Sequence, residues 1–371
     1  MSPRLAKVEA HLFRCPIEKP VRTSFGVMRD RPALFVRVED SEGAEGWGEV
    51  WCNFPDCGAE HRARLLHGVF APLAIGSEPS RVTGELASRT AVLAIQSGEP
   101  GPVQQCIAGI DIALCDLAAR RANAPLWRHL GATSPKIRAY ASGISAESPG
   151  EIAVECRAQG HRAFKLKVGF SASRDIANLR EMRAALGDDA VVMADANQAW
   201  DLEEASSMTE KMRAFGLAWL EEPLRADRPW DEWGALASRA PMPLAGGENI
   251  AGLEAFDEAL AARSLQVIQP DVAKWGGISG CLEVARRTLR AGLRYCPHYL
   301  GGGIGLLASA HLLAAAGGDG MLEIDSNPNE LRSLTCGPVR DIREGWVTLN
   351  EAPGLGEAPD LAALERFRVA P

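Results

Sequence analysis

Through the middle of the chain, short apolar runs end in polar or charged residues and give way to stretches rich in Ala, Leu, Glu and Arg. The runs lie at 137–143, 163–169, 190–197, 217–223, 243–249, 265–271, 294–299 and 321–326, and read as strands. Their polar tips are Lys167, Asp195, Glu221, Glu248, Asp271, His298 and Glu323, spaced 23 to 28 residues apart. One strand, one helix and two short loops need about that length, so the pattern predicts consecutive βα units. Eight units predict a closed (β/α)8 barrel whose active face is formed by the C-terminal strand ends. A doubly wound open sheet is the alternative arrangement.

The flanking regions have a different rhythm. Residues 34–50 alternate apolar and polar positions around a Gly-containing turn, predicting an antiparallel hairpin. Residues 106–131 carry apolar positions at helical spacing with a Pro-containing exit. The division expected is an α+β domain at 1–125, the barrel at 126–340 and a C-terminal segment, 341–371. That last segment holds strand-and-turn material at 345–356 and is expected to pack back on the first domain. The fold class expected is α/β, a modified (β/α)8 TIM barrel with an N-terminal α+β domain completed by the C-terminal tail.

Composition narrows the function. Forty basic against forty-eight acidic side chains give a net charge of −8, the wrong sign for a general nucleic-acid or acidic-membrane binder. The longest apolar stretch, around 301–318, is short and contains His311, so no transmembrane helix is expected. The first residues lack the pattern of an export signal. Nine cysteines without a CxxC pair suit a reducing cytoplasm. Walker A, GxGxxG, GxSxG and HExxH motifs are absent.

Three acids, Asp195, Glu221 and Glu248, end three successive strands. Read singly, each would pair with a nearby Arg or cap a helix. Crowded at one barrel mouth, they call for a bridging cation, and oxygen-only ligation with room for water and substrate suits Mg²⁺. Asn197 and Glu222 stand beside them as supporting hydrogen-bond partners. Lys165 and Lys167 alternate on one side of a strand. Two such cations should lower each other's proton affinity and favour base chemistry. Asp271 and His298 end the sixth and seventh strands and make a carboxylate–imidazole pair. Glu323 ends the eighth and is a candidate proton or hydrogen-bond donor, with Asp325 as a second candidate. His161 and His311 fall in helical or loop patterns and read as structural.

These pieces resemble the enolase superfamily and, within it, the mandelate racemase subgroup. The matching segments, in order, are GWGEV, GIDIALCDLA with PLWRHLG, KLKVG, ADANQAW, WLEEP, GGEN, QPDVAKWGGI, PHYLGGGIGLLASAHLLAA and LEID. The resemblance implies a capping domain closing a modified barrel, with Mg²⁺ stabilising an enediolate formed by removing a proton α to a carboxylate. A Lys or His base working with Mg²⁺ is the known pattern of that superfamily. It implies that Asp195, Glu221 and Glu248 ligate the metal, that Lys167 is one base with Lys165 its electrostatic partner, that Asp271–His298 is the dyad on the other face, and that Glu323 is the electrophilic acid. Asp at 271, with Lys274 three residues later, indicates the mandelate racemase subgroup. Cys115 stands where many relatives have Trp and reads as packing.

Specificity in such proteins comes from two capping-domain loops, here 16–32 and 51–61. The first offers Arg22, Thr23, Ser24, Arg29 and Arg31, and the second Trp51, Asn53 and Phe54. These donors suit a polyhydroxylated acid better than an aryl acid, and 20–40 resembles the same stretch of galactarolactone cycloisomerases. The function expected is dehydration of a sugar acid. Racemisation, epimerisation or cycloisomerisation through the same intermediate is the alternative, and a non-catalytic binding barrel is more remote. The partner expected is a small-molecule carboxylate, with no nucleic acid or membrane, and the chain is expected to form a homo-oligomer.

Overall fold

The computed structural model describes residues 3–22 and 26–370, without the side chain of Arg22. Its N-terminal sheet is antiparallel, with β1 (Leu5–Arg22), β2 (Val27–Asp40) and β3 (Glu45–Val50) side by side in that order. The hairpin expected at 34–50 is β2–β3, with Leu34 opposite Val50. Helix Pro100–Arg121 packs across β3. Two glycines set how closely. A Cβ on Gly46 would stand 2.1 Å from the carbonyl oxygen of Ala113, and one on Gly48 2.0 Å from that of Gly109, so no side chain is tolerated at either position. Strand alternation then sends Val50 into the core of this domain with Ile110 and Ala113. Trp47 and Glu49 project from the opposite face, where Trp47 joins a core shared with Ile304 and Tyr299 of the second domain.

That second domain is the expected barrel. Its strands are β4 (Lys136–Ile144), β5 (Ala163–Lys167), β6 (Val191–Asp195), β7 (Leu220–Glu221), β8 (Leu244–Gly246), β9 (Val267–Ile268), β10 (Arg294–Tyr295) and β11 (Met321–Asp325). They run parallel in the spatial order β10-β9-β8-β7-β6-β5-β4-β11. Each of the eight runs read from the sequence coincides with one strand, β4 extending a residue beyond its run at each end. Several ladders are shorter than their runs. The β7 ladder is two residues, although Ala218 N–H to Val192 O (2.8 Å) and Glu222 N–H to Ala245 O (3.0 Å) continue the pairing on either side. The ring is nearly closed, because β10 and β11 share no ladder. Across that seam, Met321 N–H meets Cys296 Sγ at 3.4 Å and Arg294 pairs with Asp319 at 2.6 Å.

One side chain from each strand region fills the barrel interior: Tyr140, Ala163, Met193, Trp219, Ala245, Val267, Cys296 and Met321. This apolar layer floors the polar strand ends above it. Side chains of opposite parity, such as Leu166, Val192 and Ile268, pack outward against the surrounding helices.

The C-terminal segment divides between the two domains. Strand β12 (Trp346–Thr348) pairs antiparallel with barrel strand β4, Trp346 opposite Arg138. The β4–β5 ladder begins only at Ala141, so residues 136–138 would otherwise be an open edge whose backbone groups need partners. Beyond β12 the chain does reach the first domain, where Val369 N–H bonds Leu12 O at 3.1 Å. Among the described residues, no helix is long and apolar enough to cross a membrane.

Candidate active site

Parallel register sets Lys167 beside Asp195 and Asp195 beside Glu221, three polar tips in one row of the mouth. Lys165, two residues below Lys167, is fully buried. Its Nζ lies 2.6 and 2.7 Å from the two oxygens of Glu221 and 2.7 Å from Glu323 Oε1. Glu221 also accepts from Gln269 Nε2 (2.7 Å) and Trp219 Nε1 (3.2 Å). Lys167 Nζ donates to Asp195 Oδ2 (2.6 Å) and Asn197 Oδ1 (2.8 Å), and Asn197 N–H returns to Asp195 Oδ1 (2.8 Å).

The lowering expected between the two lysines is outweighed, and both pKa values rise. Burial works against the Lys165 ammonium, yet Glu221 and Glu323 outweigh it and raise the pKa well above the usual lysine value. For Lys167, burial and Lys165 lower the pKa, and Asp195 turns the net shift upward. Adjacent carboxylates decide the matter, because an opposite charge in contact outweighs a like charge farther off.

Across the mouth, Asp271 and His298 form an isolated parallel bridge just beyond the ends of β9 and β10. Asp271 Oδ2 is 2.7 Å from His298 Nδ1, while Oδ1 accepts from Ala273 N–H at 2.8 Å. His298 Nε2 faces Glu248 Oε2 at 3.1 Å. Burial lowers the imidazole pKa, but Glu248, Glu323 and Asp271 lift it to about 9. Glu248 also takes the Lys274 ammonium at 2.5 Å. Beside it, Glu222 Oε1 accepts from Asn249 Nδ2 (2.8 Å), and its Oε2 is buried without a hydrogen-bond partner among the described residues. Burial, with Glu248 and Asp195 nearby, pushes the Glu222 pKa well up. Among the described residues, no three His, Cys, Asp or Glu side chains already converge as a metal-binding group. Each of the three candidate ligands is instead paired with a lysine.

The two strand-eight acids separate clearly. Glu323 stays in the barrel, bonded to Lys165, Ser142 Oγ and Tyr299 N–H. Asp325 bonds Arg31 (2.6 Å) and Arg332 (3.2 Å). Arg31, expected to reach substrate, is therefore held between the domains and is only 2% exposed. Asn53 is likewise engaged, donating to Leu300 O at 2.6 Å. Trp51 reaches the site, its ring 4.8 Å from the Lys274 ammonium. Arg29 is exposed and lines a cleft of about 210 Å³ with Arg14, Met28, Asp30, Asn53 and Asp56. Thr23 and Ser24 lie outside the described residues, as does the Arg22 side chain. His311 is structural, accepting from Trp127 N–H at Nδ1 (2.9 Å) with Nε2 at 3.2 Å from Leu355 O. His161 is buried too. Cys115 Sγ packs on Asp111 Oδ1 at 3.8 Å.

Sequence reasoning did not place Gln269, Asn249 and Tyr299 in the site. Gln269 had a usable signal, since it precedes Asp271 by two residues and so shares its side of the strand.

Comparison with known proteins follows the same outline. Residues 7–131 match the mandelate racemase/muconate lactonizing enzyme N-terminal domain, and residues 150–363 match the enolase C-terminal domain-like family. A D-galactarolactone cycloisomerase from Agrobacterium fabrum is 29% identical over 99% of both chains. The crystal structure of a mandelate racemase/muconate lactonizing enzyme from Bordetella bronchiseptica RB50 is 58% identical, with TM-score 0.93 over 99% of this chain and 100% of that one. An L-talarate dehydratase from Polaromonas sp. JS666, crystallised with Mg and L-glucarate, is 27% identical with TM-score 0.83 over 99% of this chain and 98% of that one. Named relatives comprise dehydratases, cycloisomerases and racemases. The chain belongs to the mandelate racemase/muconate lactonizing enzyme family of the enolase superfamily, and is a lyase or isomerase of the mandelate racemase type.

Proposed function

We propose that this protein removes the proton α to the carboxylate of a polyhydroxylated sugar acid and expels the β-hydroxyl, a dehydration. The observation that carries this reading is the pairing of two proton-transfer groups at one carboxylate-lined mouth. Lys167 stands on one side, and His298, oriented by Asp271, on the other. Lys167 as the neutral amine, or His298 as the neutral imidazole, takes the α-proton as a general base. His298 in its imidazolium form then delivers a proton to the departing hydroxyl. Lys165 and Glu323, ion-paired at 2.7 Å, line the space where negative charge develops on the substrate carboxylate; the Lys165 ammonium stabilises that charge, and Glu323, held below the usual carboxylate range by Lys165 and His298, would donate a hydrogen bond there only after taking up a proton.

Asp195, Glu221 and Glu248 are the residues that would hold Mg²⁺. The donor set fits a hard cation: every candidate ligand is a carboxylate oxygen, and Glu222 adds a buried oxygen with no partner facing Asp195 and Glu248. When bound, the ion supplies positive charge against these acids and the substrate oxyanion. A polar substrate suits the surrounding Asn197, Asn249, Gln269 and Ser142 better than an aryl acid does. The L-glucarate bound to the Polaromonas relative supports the same class.

Cycloisomerisation of a sugar-acid lactone is the second reading. It is favoured by similarity to the Agrobacterium cycloisomerase over almost the whole of both chains. Both reactions begin with the same proton abstraction. The test is a panel of sugar acids and lactones incubated with protein and Mg²⁺ in D₂O. Keto-acid formation is expected for at least one acid. Turnover of mandelate-like acids with no sugar acid consumed would overturn the assignment, and keto-acid formed from a lactone without loss of water, the open-chain acids being inert, would select the second reading.

A further inference from the structure

The dyad sits on the least supported wall of the barrel. Strand β10 pairs on one side only, with two residues of β9, and has no ladder to β11. The loops that follow β9 and β10 carry Asp271 and His298, and each runs into a 14-residue helix, Gly277–Arg290 and Gly303–Ala316. Both helix starts are held by a carboxylate from the capping domain. Glu49 accepts from Gly302 N–H at 2.5 Å and Gly305 N–H at 2.8 Å. Asp111 accepts from Ser279 N–H at 2.9 Å. Both acids are buried, at 2% and 3% exposure. The fit is close: a Cβ on Gly302 would stand 2.7 Å from Glu49 Oε1, and one on Gly277 2.3 Å from Asp111 Oδ1. The capping domain ties each loop a second time, through Asn53 Nδ2 to Leu300 O (2.6 Å) and Trp51 N–H to Ala273 O (3.3 Å). Lys165, Lys167 and Glu221, by contrast, take the partners described above from barrel strands.

We infer that Glu49 and Asp111 are positioning residues for the Asp271–His298 dyad: the capping domain fixes the proton-transfer geometry of one substrate face through two buried carboxylates bound to helix N-termini. A carboxylate is suited to this, because backbone amides and the helix dipole at an N-terminus both favour negative charge. Replacing Glu49 by Gln turns one acceptor into a donor facing an N–H, and the loop carrying His298 must shift. A displacement near 1 Å at a catalytic group costs on the order of 10²-fold in rate.

The inference rests on the proposed two-base chemistry, so the experiment separates the two. α-Proton exchange with D₂O is followed by NMR for both α-epimers of one sugar acid. His298→Asn and Lys167→Ala serve first as controls, each expected to silence one epimer. If both controls leave both exchanges intact, the enolisation reading fails. Once they split the faces, Glu49→Gln and Asp111→Asn are each expected to reduce the His298-dependent exchange on the order of 10²-fold, with Lys167-dependent exchange within about twofold. The low-field proton resonance of the His298 Nδ1–H bond should shift or broaden with it. Equal loss on both faces, or no loss on either, overturns the positioning role. If Glu49→Gln does not fold, Asp111→Asn, on a different element and loop, and Asn53→Ala, which removes only the Leu300 tie, decide by the same face ratio.

Discussion

Asp271 and His298 are bridge partners just beyond the ends of adjacent barrel strands, and the bond between Asp271 Oδ2 and His298 Nδ1, 2.7 Å, is therefore fixed by backbone register as well as by side-chain contact. A dyad anchored in this way should be sensitive to its chemistry and tolerant in its fold. His298→Asn is expected to lower turnover by about 10²–10⁴-fold, the usual worth of a general acid–base group, while the melting temperature stays within a few degrees. Steady-state rates and a thermal scan on the same samples check this. Unchanged turnover would remove His298 from the mechanism.

Cation binding has a readout independent of activity. A ligand that binds only the native state stabilises it by about 2.7 kcal/mol at a hundredfold excess over its Kd. Millimolar Mg²⁺ is expected to raise the melting temperature of the EDTA-treated protein, and Asp195→Asn or Glu248→Gln should abolish the rise. EDTA is expected to stop turnover, and Mg²⁺ to restore it.

The ion pair Arg31–Asp325 joins the two domains in a buried setting. Arg31→Ala is expected to destabilise the protein by about 1.5–3 kcal/mol, since the buried Asp325 loses one charged hydrogen-bond partner and keeps Arg332 and Asn327. The double variant Arg31→Leu with Asp325→Leu should recover most of that loss. Urea unfolding of Arg31→Leu, Asp325→Leu and the double variant measures the coupling. A change in KM without loss of stability in Arg31→Ala would assign the residue to substrate instead.

Arg29 is the exposed arginine of the same loop, in the cleft it shares with Asn53. Arg29→Ala is expected to raise KM for sugar acids several-fold, with kcat little changed. Initial-rate kinetics on one sugar acid decides it, and an unaltered KM would leave the loop without a substrate role.

Two buried histidines make an acid limit to stability. Burial lowers His161 and His311 from 6.5 to about 4. The unfolded chain takes up these protons below pH 6.5 and the native protein does not, so stability falls as pH drops from 6.5 to about 4 and the loss is complete below that. Each group contributes on the order of 3 kcal/mol over this window. Denaturant midpoints measured across it should fall steadily, and His161→Gln should flatten the slope.

The eight strands were legible because each run ends in a polar tip, and those tips were also the site. Which partner each tip takes was not. Lys165 reaches Glu221 two strands away and Glu323 on the far side of β4, contacts set by the closure of the ring, which no local pattern encodes. Asp325 and Arg31 could not be paired for the same reason, being nearly three hundred residues apart in the chain. Strand β1 was hidden by Pro16 and Pro20, which suit an edge strand and coincide with its register shift. Strand β12 was legible as a strand, but its pairing with β4 was not, since an isolated amphipathic run does not show which open edge it will fill.

Strand β4 is the first barrel strand made and the last completed. Its pairs with β11 and β12 join residues 138–142 to 321–325 and 136–138 to 346–348. A ribosome must release nearly the whole chain before either pair can form. Until then a nascent polypeptide exposes a strand edge open to other chains. Folding speed should accordingly be governed by this late, sequence-distant closure, and truncation only a few dozen residues from the C-terminus should yield a sticky, protease-sensitive product even though every residue of the candidate active site is still present.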